Sequence, residues 1–210
     1  MELTTVNENA FNAFANAAAA MSGGDQKPIL RFDKGNWYAG QDNSDVDQGT
    51  RLAADMMHAE WGWIHWVDNK PAERRMVVIA SGAGVAARET LGNDDKQMWP
   101  VDEKGVPQDP WRKSIEIPVR EIDGERREFT LAGSSKGFEG ACKALFKAFG
   151  EGCRANGGKT PIIELGASKY KHQKWGMVPV PALPLVEWVT PAALAVDDAA
   201  PKTKKAVTKF

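Results

Sequence analysis

The stretch GASKYKHQKWGM (166–177) carries Lys169, Lys171 and Lys174 beside Tyr170, His172 and Trp175, with no acid. On an extended strand successive side chains alternate, so Lys169 and Lys171 share one side and Tyr170, His172 and Lys174 the other. Cations at that spacing can meet a phosphate backbone, and flat rings can stack on unpaired bases. Single-strand binders combine these two elements, with little readout of sequence. The same pairing recurs in RFDKGNWYAG (31–40), with Arg31, Trp37 and Tyr38. It recurs again in EWGWIHW (60–66), where Trp61, Trp63 and His65 alternate with Ile64 and Trp66.

Charge distribution points the same way. The chain has 210 residues and a net charge of −1. Between Lys136 and Trp175, however, eight lysines and arginines, among them Lys136 and Lys143, face only Glu139, Glu151 and Glu164. The acids concentrate in 41–60 and 92–103, so a basic face is concealed by a neutral average. The expected nucleic-acid-binding set is therefore Arg31, Trp37, Tyr38, Trp61, Trp63, Lys136, Lys143, Lys169, Tyr170, Lys171, Lys174 and Trp175. No catalytic residue and no metal ligand is assigned.

Other motifs fail on their context. VVIASGAGVAA (77–87) has Gly82, Gly84 and Ala87 in G-x-G-x-x-A spacing, but only residues 85–91 remain for the helix a pyrophosphate site needs, and no parallel strand follows. It reads as a glycine-rich turn. ANGGKTP (155–161) lacks the earlier glycine of a P-loop, since Cys153 stands there, and Pro161 opens a strand where a helix should begin. Asp42, Asp45, Asp47, Asp94, Asp95 and Glu164 are the carboxylates from which a metal site would be drawn. They read as solvated loops, with no lysine at the strand spacing of a nuclease. Cys142 falls on the apolar stripe of a helix and belongs to the core, and no cofactor is expected.

The elements that hold these residues are mostly strands: PILRF, WYAG, GWIHWV, RRMVVIA, WRKSIEIPVREI, EFTLA and TPIIELG. Asp123-Gly124 marks a hairpin. GMVPVPALPLVEWV is β-prone, but its prolines confine it to an edge or irregular strand. One helix interrupts them, opening at Ser134-Ser135 and closing on Gly157-Gly158, with Phe138, Cys142, Leu145, Phe149 and Cys153 on one stripe. Segment 81–110 reads as a long inserted loop. Strands, one helix, then more strands predict a mainly β (α+β) fold, an OB-like β-barrel with one packed α-helix. A flexible arm (1–24), a single domain (25–190) and a disordered basic tail (191–210) complete the expected organisation. Glu2 and Glu8 stand where a signal peptide would be basic, and no apolar run reaches membrane-spanning length, so a cytoplasmic protein without membrane contact is expected.

Segment 88–119, with DPW at 109–111, together with SSKGFEGACKAL, TPIIELG and YKHQKWGMVPVPALPLVEWV, resembles single-stranded-DNA-binding proteins of phage and prophage replication and recombination. The likeness spans roughly residues 28–189. It implies an OB-like barrel, single-stranded DNA as partner, phage or host replication and recombination proteins as further partners, and a location in the host cytoplasm. The matched positions with suitable chemistry are Lys169, Tyr170, Lys171, Lys174 and Trp175. Homo-oligomers are compatible with this reading. One departure is the ending KTKKAVTKF, where many single-strand binders carry an acidic recruiting tail. Two alternatives stay open: a metal-dependent nuclease acting on DNA, and a non-catalytic phage protein-interaction module.

Overall fold

The computed structural model describes residues 27–68, 70–173 and 176–196. The expected arm (1–24), most of the expected tail, and the site residues Lys174 and Trp175 lie outside the described residues. Residues 191–196, the start of that tail segment, form a short helix, Pro191–Val196.

The described residues are mainly β with one long helix. Its first strands are β1 (Ile29–Asp33), β2 (Asn36–Ala39), β3 (Ser44–Val46) and β4 (Arg51–Ala54). Next come β5 (Glu60–Val67), β6 (Lys70–Val78), β7 (Trp111–Glu121) and β8 (Glu128–Gly133). The helix α1 (Lys136–Gly152) precedes β9 (Thr160–Glu164), β10 (Gly166–His172), β11 (Gly176–Ala182) and β12 (Leu185–Val189).

One sheet runs β12-β9-β4-β7-β8-β1-β2-β3, with β5 and β6 branching from β7; β10 and β11 form a separate two-stranded ribbon. All pairings are antiparallel except β1 with β8. Strands β4 and β5 pair with successive stretches of β7, Ala54 opposite Val119 and Glu60 opposite Glu116. Five residues of one strand thus face two of the other. The surplus is taken up by the 3-10 turn Met56–His58, which bends a single long strand. The sheet curls around one core. Leu30, Trp37, Leu52, Ile117, Leu131 and Ile163, from six of its strands, are all buried there with Phe138, Cys142 and Leu145 of α1. Beyond β3, the Gly49 N–H donates to Leu165 O at 2.7 Å, bringing the chain after β3 against the end of β9.

Helix α1 forms where the apolar spacing requires it. Ser135 caps it, its Oγ accepting from Phe138 N–H at 3.2 Å. It ends at Gly152, short of Gly157-Gly158, and residues 153–158 are turns. Burial pushes the Cys142 thiol up to about 12, in keeping with its place in the core. Two strands escaped the sequence reading. β3 lies inside the acidic run 41–48, and β4 is the four residues RLAA. Both are short and owe their structure to neighbouring strands instead of to a period-two pattern. No helix among the described residues is long and apolar enough to cross a membrane.

Candidate nucleic-acid interface

Period-two geometry divides the expected site residues. Arg31 stands opposite Tyr38 and Phe32 opposite Trp37. The two pairs therefore face opposite sides of the β1–β2 hairpin. Trp37 takes the core side: it is 1% exposed and donates from Nε1 to Gly166 O at 3.1 Å. This corrects its assignment, because a fully buried indole has no face to offer a base. Arg31 and Tyr38 lie on the other side, with the guanidinium 6.0 Å from the ring and hydrogen-bonded to Asn43.

Trp61 and Trp63 occupy a different surface. Across β6, β5 and β7 the register places Val77, Trp61 and Ile115 in one row, Arg75, Trp63 and Lys113 in the next, and Glu73, His65 and Trp111 in the third. Side chains in a row share a face. Ile115 belongs to the core and Trp61 packs partly against it, so this face continues the barrel interior outward. Between the buried Ile115 and the buried Trp111 of the third row, the Lys113 ammonium lies 5.7 Å from the Trp61 ring and 5.9 Å from the Trp63 ring. Both are within cation–π range. Lys113 is exposed and has no acidic partner among the described residues. Sequence reasoning missed it. Its signal was available in the alternation of WRKSIEI, which puts Lys113 on the same side as Ile115 and Ile117.

Segment 79–110 folds over the edge of this face. It holds only 3-10 turns and one bridge, Val101 to Pro107. The glycine-rich stretch 81–87 builds no nucleotide-binding helix; Arg88–Thr90 is a single 3-10 turn. Arg88 organises the segment. It grips Asp109 through both Nε and Nη2 at 2.7 and 2.8 Å, and also reaches Gly92 O and Asp94. From the same segment Ala86 O accepts the Trp63 indole N–H at 2.9 Å, fixing that ring's edge.

The β10–β11 ribbon supplies Lys169, Tyr170 and Lys171. Lys169 is opposite Pro179 and Lys171 opposite Met177, while Tyr170 is opposite Val178 and His172 opposite Gly176. The two lysines therefore occupy one side and Tyr170 the other, where its ring meets His172 edge-on at 6.3 Å. The ribbon is wedged at its base. Pro179 approaches the β1–β2 turn, 3.5 Å from where a Gly35 side chain would begin. Val180 approaches the first turn of α1, 2.9 Å from where a Gly137 side chain would begin.

These contacts bring three elements to one end of the sheet. Ile115 pairs with Gly133, two residues before the cap of α1, so Lys113 and the start of α1 emerge at the same edge. Lys34, Lys136, Lys169 and Lys171, all exposed, belong to the turn, helix start and ribbon that meet there. Lys143 does not join them; it is exposed further along α1. Tyr170 faces a groove beside α1 instead of the row of tryptophans.

The acids do not converge. Asp42 accepts from Ser44 Oγ at 2.5 Å, Asp94 pairs with Arg88 at 3.1 Å, and Asp95 caps a 3-10 turn by accepting from Gln97 N–H. Among the described residues no three His, Cys, Asp or Glu side chains gather as a metal site would require. No family model matches the chain, and neither a curated protein nor a solved structure matches it.

Proposed function

We propose that the chain is a non-enzymatic, sequence-tolerant binder of single-stranded DNA that serves phage replication or recombination in the host cytoplasm. The observation that carries this reading is the exposed Lys113 ammonium set between the Trp61 and Trp63 rings, at the edge where the lysine-bearing ribbon and the start of α1 also meet. A cation among flat rings suits a phosphate flanked by unstacked bases.

Strand connectivity supports an OB-like frame. The bent strand β4–β5 is followed by β7 and β8 as a meander, then α1, then β9 back on β4 and β12 on β9. That is the order of an OB barrel: three strands, a helix, two strands. In this frame the β6 extension with segment 79–110 occupies the loop between the first two barrel strands. The β10–β11 ribbon occupies the loop between the last two. Those are the loops with which OB folds hold oligonucleotides. Parallel pairing of β1 with β8 is an addition to that plan.

The test is tryptophan fluorescence on titration with a dT oligonucleotide, at low and then high salt, without metal. Quenching that salt reverses is the expected result. Unchanged fluorescence, with no shift of a labelled oligonucleotide, would remove the proposal and favour a protein-interaction role.

A further inference from the structure

A second surface carries an inference that does not depend on DNA binding. Between α1 and the β10–β11 ribbon lies an open groove of about 680 Å³. Gly140, Ala144 and Ala148 form its helical wall, and Val180, Pro181 and Leu185 line the other side. All three helical residues are exposed although they lie beside the stripe that fills the core. The lining contains one cation, Lys136, and no acid. Gly140, with open space where a side chain would begin, keeps the wall shallow, so a bulky ring can approach the helix backbone there.

We propose that this groove receives the chain's own segment 1–26, with Phe11 and Phe14 as its apolar anchors. Three observations select this occupant. Its sequence complements the groove in charge: it contains Glu2, Glu8 and Asp25 and no lysine, arginine or histidine. Its anchors stand three residues apart among alanines and asparagines, in AFNAFANAAAAM, and are the aromatic rings of the segment. Its attachment point is close. Lys27, ion-paired with Glu128 at 2.8 Å, lines a pocket together with Phe149 and Cys153 at the C-terminal end of α1, and Ala148 of the groove is the residue before Phe149. Phe14 precedes Lys27 by thirteen residues. An extended chain of that length spans up to about 45 Å, whereas the 17 residues of α1 extend only about 25 Å. The connection is therefore long enough for either ring to reach any point along the helix. Being tethered, the segment meets the groove at a local concentration in the millimolar range.

Chymotrypsin tests this on the full chain, because Phe11 and Phe14 are cleavage sites that docking would shield. The substitution Ala144→Glu fills the wall and adds a negative charge, like that of the segment, at an exposed position. Cleavage at Phe11 and Phe14 is expected to accelerate about fivefold or more in Ala144→Glu, with the wild-type rate independent of protein concentration. Lys136→Glu, also exposed, should accelerate it to a lesser degree, and serves if Ala144→Glu lowers the melting temperature. Equal rates in wild type and both variants would overturn the proposal. Protection that grows with protein concentration would also overturn it, by assigning the groove to the segment of a second copy.

Discussion

The β5–β7 face and the β10–β11 ribbon read alike in sequence, since each interleaves cations with rings. Their settings differ. Trp61, Trp63 and Lys113 belong to strands held on both sides, with β5 between β6 and β7, and Trp63 is pinned by the Ala86 carbonyl. Lys169, Tyr170 and Lys171 belong to a two-stranded ribbon outside the main sheet, whose partner strand contains Pro179 and Pro181. A two-stranded ribbon has little stability of its own. Similar composition thus yields a fixed platform of rings in one place and a charged flap in the other. The first would lose little conformational freedom on meeting a base; the second would suit a phosphate chain, which needs charge more than geometry.

The sharpest break in this comparison is removal of a platform ring. Trp63→Ala should weaken binding of a dT oligonucleotide about tenfold to a hundredfold, following about 1–3 kcal/mol per stacked base, with Trp63→Phe restoring most of it. Fluorescence anisotropy with a labelled oligonucleotide reads this, and melting temperature checks the fold. An equal loss from Tyr170→Ala would reverse the assignment of platform and flap.

Next is the loop that holds the platform. Arg88→Ala releases Asp109 and the carbonyl of Gly92. Proteolysis within 82–109 should rise, and affinity should fall about threefold to tenfold, the cost of re-ordering one or two side chains on binding. The ribbon should keep its proteolytic pattern.

The lysines of the flap should act through salt. Lys169→Ala with Lys171→Ala should reduce the slope of log affinity against log salt by about 1.4, at about 0.7 per single-strand phosphate contact. Titrations at four or five salt concentrations measure it. An unchanged slope would exclude the ribbon from the phosphate path.

The smallest effect is expected from Tyr170→Ala, less than about twofold in affinity, because its ring faces the groove beside α1 and not the tryptophan rows. A competition assay against wild type resolves a change of that size.

Local signals in the sequence sufficed for those elements whose pattern is strong. The stripe Phe138, Cys142, Leu145 and the cap Ser135 specify α1, and the alternation Ile115, Ile117, Val119 specifies β7, because each repeat matches the period of its element. Asp123-Gly124 falls in the β7–β8 connection, with Gly124 at φ +71° as such a turn requires. Prolines limited β11 to a ribbon, for want of N–H donors. Period two also divides Lys169 and Lys171 from Tyr170, as the ribbon's register does.

Tertiary structure alone decided which face of each strand is wet. Nothing local to WYAG says that Trp37 is core; its burial follows from β2 lying beside β1 and closing over Gly166. Lys113 becomes part of a ring-and-cation site only because β5 aligns Trp63 with it across the sheet. The ribbon's lysines reach the same edge through contacts at Gly35 and Gly137, more than a hundred and about forty residues away in sequence, respectively. Periodicity fixes how side chains alternate, but the side that meets water depends on what packs against it, and those partners come from remote parts of the chain.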